Sequence, residues 1–348
     1  MTPPDFDGAP TVVGSFPHTA ADRLVGALFA QLPEMPAWPQ LPARDWRESM
    51  YVQYSEGLPG ATLDHGSHRI WFEKSAGFDE ALEAFYQAIV NEDVERFAIS
   101  ADYALGLRLF LDHARAHGPV PWAKGQVTGP FSFSMTVTDA QKRSLAYSPE
   151  FQEIVTQGIA MKARWMARAL RALASGSLVV LDEPYLCSFG SAFVNVPRED
   201  VLGALAAAVA AIHSEGALAG LHCCGNTDWS LVLASGVDAV NFDACQYFYG
   251  LPLYPKELAA FVERGGVLMW GMVPASGPAE ALEVAALERA FEDCVDQLVA
   301  KGLDRTRLYR QALFTPSCGM GTQTVDEAER VMSTLIQLAS RIRNRAGV

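Results

Sequence analysis

The feature that most limits what this chain can fold into is a rhythm. Apolar, β-branched runs of strand length alternate with longer stretches of helical period. TVVGSF precedes the helical ADRLVGALFAQL, and WAKGQVTGP stands before a long helix that begins near Pro149. That helix leads into SLVVLDEP, and REDVLGALAAAVAAIHSEG then alternates with LAGLHCC. DAVNFDA, PKELAAFVERGG, VLMWGMVP, AEALEVAALERAFEDCVDQLVAKG and LYRQALFTPSCGMG carry the pattern to a closing helix, VDEAERVMSTLIQLASRIR. Such alternation implies an α/β fold, a parallel sheet with both faces covered. Sustained over 348 residues, it favours a closed (β/α)8 (TIM) barrel, one domain over 1–348, above an open doubly wound sheet. No GxGxxG follows a strand-like run, which removes the strongest sign of a dinucleotide site. Residues 35–75, rich in Pro, Trp and Tyr, break the rhythm and are expected to form an excursion, a hairpin or lid over the barrel mouth.

Charge narrows the partners. The net charge is −13, from 40 acidic against 27 basic side chains, which argues against nucleic acid, because phosphate binding needs a basic surface. The first residues, MTPPDFDGAPTVVGSF, lack the basic segment and apolar run of a signal peptide, and no uncharged stretch reaches spanning length. A cytoplasmic protein with no membrane partner is expected. The six cysteines are scattered rather than arranged as a disulfide framework, so buried thiols and metal ligands are the readings that stand.

In a barrel the active site lies at the carboxyl ends of the strands. The polar residues of GSFPH, GQVTGP, LDEP, LHCCGN, NFDAC and TPSCG each close an apolar run, so one rim would gather them all. His222 and Cys224 are two residues apart and share a strand face, with Cys223 facing the other way. Catalytic zinc takes three protein ligands and an open position. Cys318 ends the last strand-like run, and Asp243 or Cys245 could supply a fourth ligand. Cys187, Cys223 and Cys294 read as packing. His18, His65, His68, His113, His117 and His213 show no partner spacing and read as surface or loop residues. Trp38, Trp46, Tyr51 and Tyr54 are either ordinary packing or the wall of a substrate pocket.

Taken in order, these motifs resemble the catalytic half of cobalamin-independent methionine synthase, within the wider superfamily of zinc thiol methyltransferases and uroporphyrinogen decarboxylase. VGSFPHT is similar to that family's IGSFPQT, KGQVTGP to KGxLTGP, LDEPYL to IDEPAL, LHCCGN to its His-x-Cys and TPSCGMGT to NPDCGLKT. The five motifs span residues 12 to 322. The resemblance implies that Zn2+ is held by His222, Cys224 and Cys318, with Asp243 at the place of a further glutamate ligand. It sets a substrate amino group against Asp182, also the candidate catalytic residue, and a substrate carboxylate near the backbone N–H groups around Ser15. A free thiol has a pKa around 8.5, and binding its sulfur to zinc supplies a thiolate at neutral pH.

The implied activity is methyl transfer to a small thiol, homocysteine first. Two departures bear on the donor: the chain has no counterpart of the family's additional N-terminal half, and Thr136 stands where the family has a pterin-packing tryptophan. A methylated corrinoid protein is therefore expected in preference to methyltetrahydrofolate. Three alternatives stay open. One is a coenzyme-M-like thiol as acceptor. Another is a metal-free decarboxylase, for which Arg23, Arg44 and Arg47 would be the basic side chains. The third is a non-catalytic subunit that docks a corrinoid protein or stores zinc.

Overall fold

The computed structural model of the chain describes residues 3–346. Its strands, in chain order, are β1 Ala9–Pro10, β2 Ala61–Asp64, β3 Arg69–Phe72, β4 Val120–Thr128, β5 Thr138–Asp139, β6 Ala174–Asp182, β7 Leu218–Cys223, β8 Ala239–Asp243, β9 Val267–Val273 and β10 Ala312–Pro316. The helices of the first half are α1 Ala21–Gln31, α2 Met50–Ser55, α3 Phe78–Val90, α4 Leu105–His117, α5 Pro130–Thr136 and α6 Pro149–Arg171. Those of the second half are α7 Arg198–Ser214, α8 Trp229–Ala234, α9 Pro255–Glu263, α10 Val284–Ala300, α11 Arg305–Arg310 and α12 Val325–Ala346. No helix among the described residues is long and apolar enough to cross a membrane.

Seven strands form one parallel sheet in the order β1-β10-β9-β8-β7-β6-β4. The sheet curls, and helices surround it. Its strands read as continuous apolar runs because both faces are covered: every residue of β7, β8 and β9 is buried. The helices show why they pack. In α12 the residues Ala328, Val331, Met332, Leu335, Leu338, Ala339 and Ile342 are all buried, a stripe of helical period. Pro149 at the first turn starts α6, where its missing N–H costs nothing.

The concave face holds a core of its own. Trp122, Leu178, Val180, Leu218, Ala239, Val267, Met269, Leu313 and Ala9 meet there, and Met35 joins them. Each of the seven strands contributes. Above this apolar layer, toward the carboxyl ends, the same strands turn Lys124, Gln126, Asp182, His222 and Asn241 inward. Apolar floor and polar mouth thus follow from the two-residue period of the strands.

Where the expected barrel calls for eight strands, the sheet has seven, and the expected excursion begins too early. Residues 34–40 bond to β4 at one edge of the sheet and to the stretch that follows β1 at the other. Trp122 and Lys124 donate from β4 to the carbonyls of Glu34 and Pro36, and Gln40 N donates to Gly14 O. Pro36 and Pro39 lack N–H groups, so this segment makes bridges instead of a ladder. The departure proper comes later. It holds α2 and the antiparallel hairpin β2–β3, to which β5 adds in parallel to make a separate three-stranded sheet.

Candidate metal centre

His222 is the fifth residue of β7, Cys224 lies one beyond its end, and Cys318 lies two beyond β10. The structure brings these three together: one ligand atom from each lies within 4.8 Å of the others. Cys223, on the opposite face of β7, is fully buried in the core between sheet and helices, its thiol directed at Gly225 O. The loop bearing Cys318 is fixed from two sides. Ser317 N donates to Val273 O and Ser317 Oγ accepts from Ala275 N, while Met320 N donates to Ser15 O at 2.9 Å. Ser15 therefore packs against the Cys318 loop. Of the backbone donors beside it, Phe16 N is already committed to Gln40 O.

The charges of the group are linked. The thiol of Cys224 donates toward Cys318, and the His222 imidazole does the same, so Cys318 is held far below the ordinary thiol range despite its burial. Cys224, as donor in that pair and buried, is pushed up. Burial works against a charged His222, but the bond and charge of Cys318 win and raise it. Nδ1 of His222 is buried without a hydrogen-bond partner. Asp182 is beside His222 in register; burial lifts its carboxyl to about 6, although His222 and Lys124 oppose this. Its Oδ1 is likewise buried and unpartnered. The two strand ends thus offer one nitrogen and two sulfur donors with a carboxylate alongside.

Asp243 and Cys245 are not among the three residues whose ligand atoms lie within 4.8 Å of one another, although Asp243 stands within electrostatic reach of Cys318 and His222. Asp243 Oδ1 accepts from Gln246 N at 2.9 Å, capping the turn after β8, and Cys245 Sγ donates to Met272 O at 3.0 Å. Cys294 is buried as expected, whereas Cys187, read from sequence as packing, is exposed on the turn after β6. The imidazoles are elsewhere: His213 bonds Asp238 at 2.7 Å, His113 stacks on His117, and His65 and His68 flank Trp46. The aromatic cluster divides. Trp38 and Tyr54 are buried packing, with Tyr54 OH donating to Gln126 O at 2.5 Å, while Tyr51 and Trp46 keep part of their surface. Tyr51 sits within electrostatic reach of Cys224, Asp182 and Glu183.

Two residues that matter here carried no role in the sequence reading. Glu183 accepts from Phe131 N, Ser132 N and Ser132 Oγ at 3.0, 2.7 and 2.6 Å, joining the end of β6 to the start of α5. A Cβ on Gly129 would stand 2.1 Å from its Oε1, which explains the glycine of VTGP. Lys124 is fully buried and donates to Val13 O at 2.7 Å; burial brings it down to about 8. Strand alternation was the available signal for Glu183, since it must face away from Asp182. The chain matches no protein-family model and no curated protein.

Proposed function

We propose that this chain is a zinc-dependent transferase that methylates a small thiol, homocysteine giving methionine being the first choice. The observation that carries the reading is the convergence of His222, Cys224 and Cys318 from the ends of β7 and β10, which have two strands between them in the curled sheet. Mixed N and S donors suit zinc, and three protein ligands with an open position is the catalytic pattern. The orphaned Nδ1 of His222 and the depressed Cys318 thiol fit a bound cation. When bound, zinc supplies Lewis acidity, which lets a substrate thiol lose its proton at neutral pH. Asp182 presents a buried, unpartnered oxygen that suits a substrate ammonium. Glu183 holds the α5 loop against that site, and Tyr51 walls its outer side.

The fold belongs to the same reading. Residues 34–40 serve as the eighth stave of a (β/α)8 barrel in this reading, since they bond to β4 and to the stretch after β1 and send Met35 into the interior core. The donor is a methyl-corrinoid protein rather than methyltetrahydrofolate, on the strength of Thr136 in the TGPFSFSMT stretch. The coenzyme-M-like acceptor stays second. The decarboxylase alternative loses its basic side chains: Arg44 is paired with Glu48, Arg47 with Asp45, and Arg23 lies along α1. Metal analysis with zinc X-ray absorption tests the proposal. About one zinc per chain is expected, gaining a sulfur neighbour when homocysteine is added. Protein without zinc, and not reloaded by added metal, would overturn it.

A further inference from the structure

The ring of helices has a gap on the side of β1. Helix α6 packs along α7 and α10 along α12, while α1 meets α4, with the Phe29 and Phe110 rings tilted against each other at 4.8 Å. Yet α12, which packs on β1, scarcely touches α1. Between them runs a cleft of about 720 Å³, within the range of small-molecule pockets. Leu24 and Leu28 form one wall and Met332 and Ile336 the other. The charged groups gather at one end, while Gln31 and Ser333 are the polar residues farther along. Arg23 has no carboxylate partner among the described residues, and His18 Nδ1 is buried without a hydrogen bond. The other ring nitrogen of His18 lies 4.0 Å from Glu329, too far to be bonded.

We infer that this cleft is a binding site for a small amphipathic carboxylate, its hydrocarbon body between Leu28 and Ile336 and its head at Arg23 and His18. An apolar slot with an unpaired guanidinium at one end matches a single anion on an apolar stem. A carboxylate placed opposite Glu329 would set the imidazole between two acids, which favours its charged, doubly donating form and offsets the repulsion from Glu329. A second chain docking here would leave the orphaned Nδ1 without a reason, whereas Arg23, exposed at the mouth of the cleft, is free to reach a bound head group. The site also has a route inward. His18 and Ser15 belong to one short loop, and Ser15 packs on the loop of Cys318. The inference does not depend on a metal at His222, Cys224 and Cys318.

Isothermal titration of the full chain with sodium octanoate is the test. One site per chain is expected, with a dissociation constant on the order of 0.1–1 mM for a ligand of this size. Arg23→Ala should weaken it about tenfold, and Ala27→Trp, which fills the cleft, should abolish it. If Ala27→Trp does not fold, Ser333→Trp fills the same space from the exposed rim of α12. Octanol should bind less tightly than octanoate. No octanoate binding, unchanged binding to both filled variants, or tighter binding of octylamine would overturn the assignment. So would a dimer that octanoate dissociates, because the cleft would then be a contact between copies.

Discussion

Cys223 and Cys224 are neighbours with opposite surroundings, and the difference comes from one step along a strand. Cys223 points into the core between sheet and helices, where burial pushes its thiol up to about 12 and keeps it protonated. Cys224 emerges at the polar mouth beside Cys318 and His222. The thiolate is the metal ligand, and only Cys224 faces His222 and Cys318, so the two positions should respond differently to the same change. Cys318→Ala should remove most of the bound zinc, because a three-ligand site does not survive on two. Cys223→Ala should leave zinc content near that of the parent. Asp243→Asn should also leave it, since that carboxylate is engaged with the Gln246 amide. Elemental analysis after dialysis decides; equal loss in the Cys318 and Cys223 variants would remove the basis for the face assignment.

At the scale of elements, the end of β6 does two jobs with consecutive acids. Asp182 faces the interior and Glu183 turns back to hold the first turn of α5. Glu183→Gln puts an NH2 group where two N–H donors and a hydroxyl need an acceptor. Leaving such groups unmatched costs about 1–3 kcal/mol, measurable by urea unfolding. Burial lifts the Glu183 carboxyl from 4.5 to about 7, so its contribution is fully present below about 4.5 and is lost as pH rises through about 7. The stability gap between parent and variant should therefore narrow between pH 5 and pH 8; a gap that widens would contradict the buried-acid assignment. The elements themselves were largely readable. β4, β6, β7, β8, β9 and β10, with α1, α6, α7, α9, α10 and α12, lie where the apolar periods put them. What periodicity cannot report is a partner far along the chain. Glu183 with Ser132 and Lys124 with Val13 are such pairs, and so is the Pro-rich 34–40 segment, which looks like loop because its prolines remove the ladder donors. The three donors at His222, Cys224 and Cys318 were legible for the opposite reason: each ends an apolar run, so strand geometry sends them to one rim, and the family resemblance singles them out among the rim residues.

For the whole molecule the question is how the two edges of the curled sheet meet. An open parallel sheet would leave β1 and β4 with unpaired backbone groups, which is a liability for any sheet. Here the 34–40 segment lies against β4 and against the stretch that follows β1. Phe16 N donates to Gln40 O and Gln40 N to Gly14 O on one side, while Lys124 N donates to Pro36 O on the other. Two buried side chains reinforce the seam: Thr11 Oγ1 donates to Met35 O at 2.9 Å, and Lys124 Nζ reaches Val13 O. Gly14 permits the close approach. Its φ is +146°, and a Cβ there would stand 2.3 Å from the Gln126 amide. If these contacts close the sheet into a barrel, the seam must open only when the whole structure does. Amides that open only globally exchange with the full unfolding free energy, whereas loop amides exchange far faster. Native-state hydrogen exchange should therefore show the amides of Phe16, Gln40 and Lys124 as slow as those of the β4–β6 ladder. Loop-like exchange at Phe16 and Gln40, with β4 still protected, would mean that the sheet is a trough with a mobile flap. The candidate metal centre would then be carried on one wall, and the Ser15 contact to the Cys318 loop would have to open with the flap.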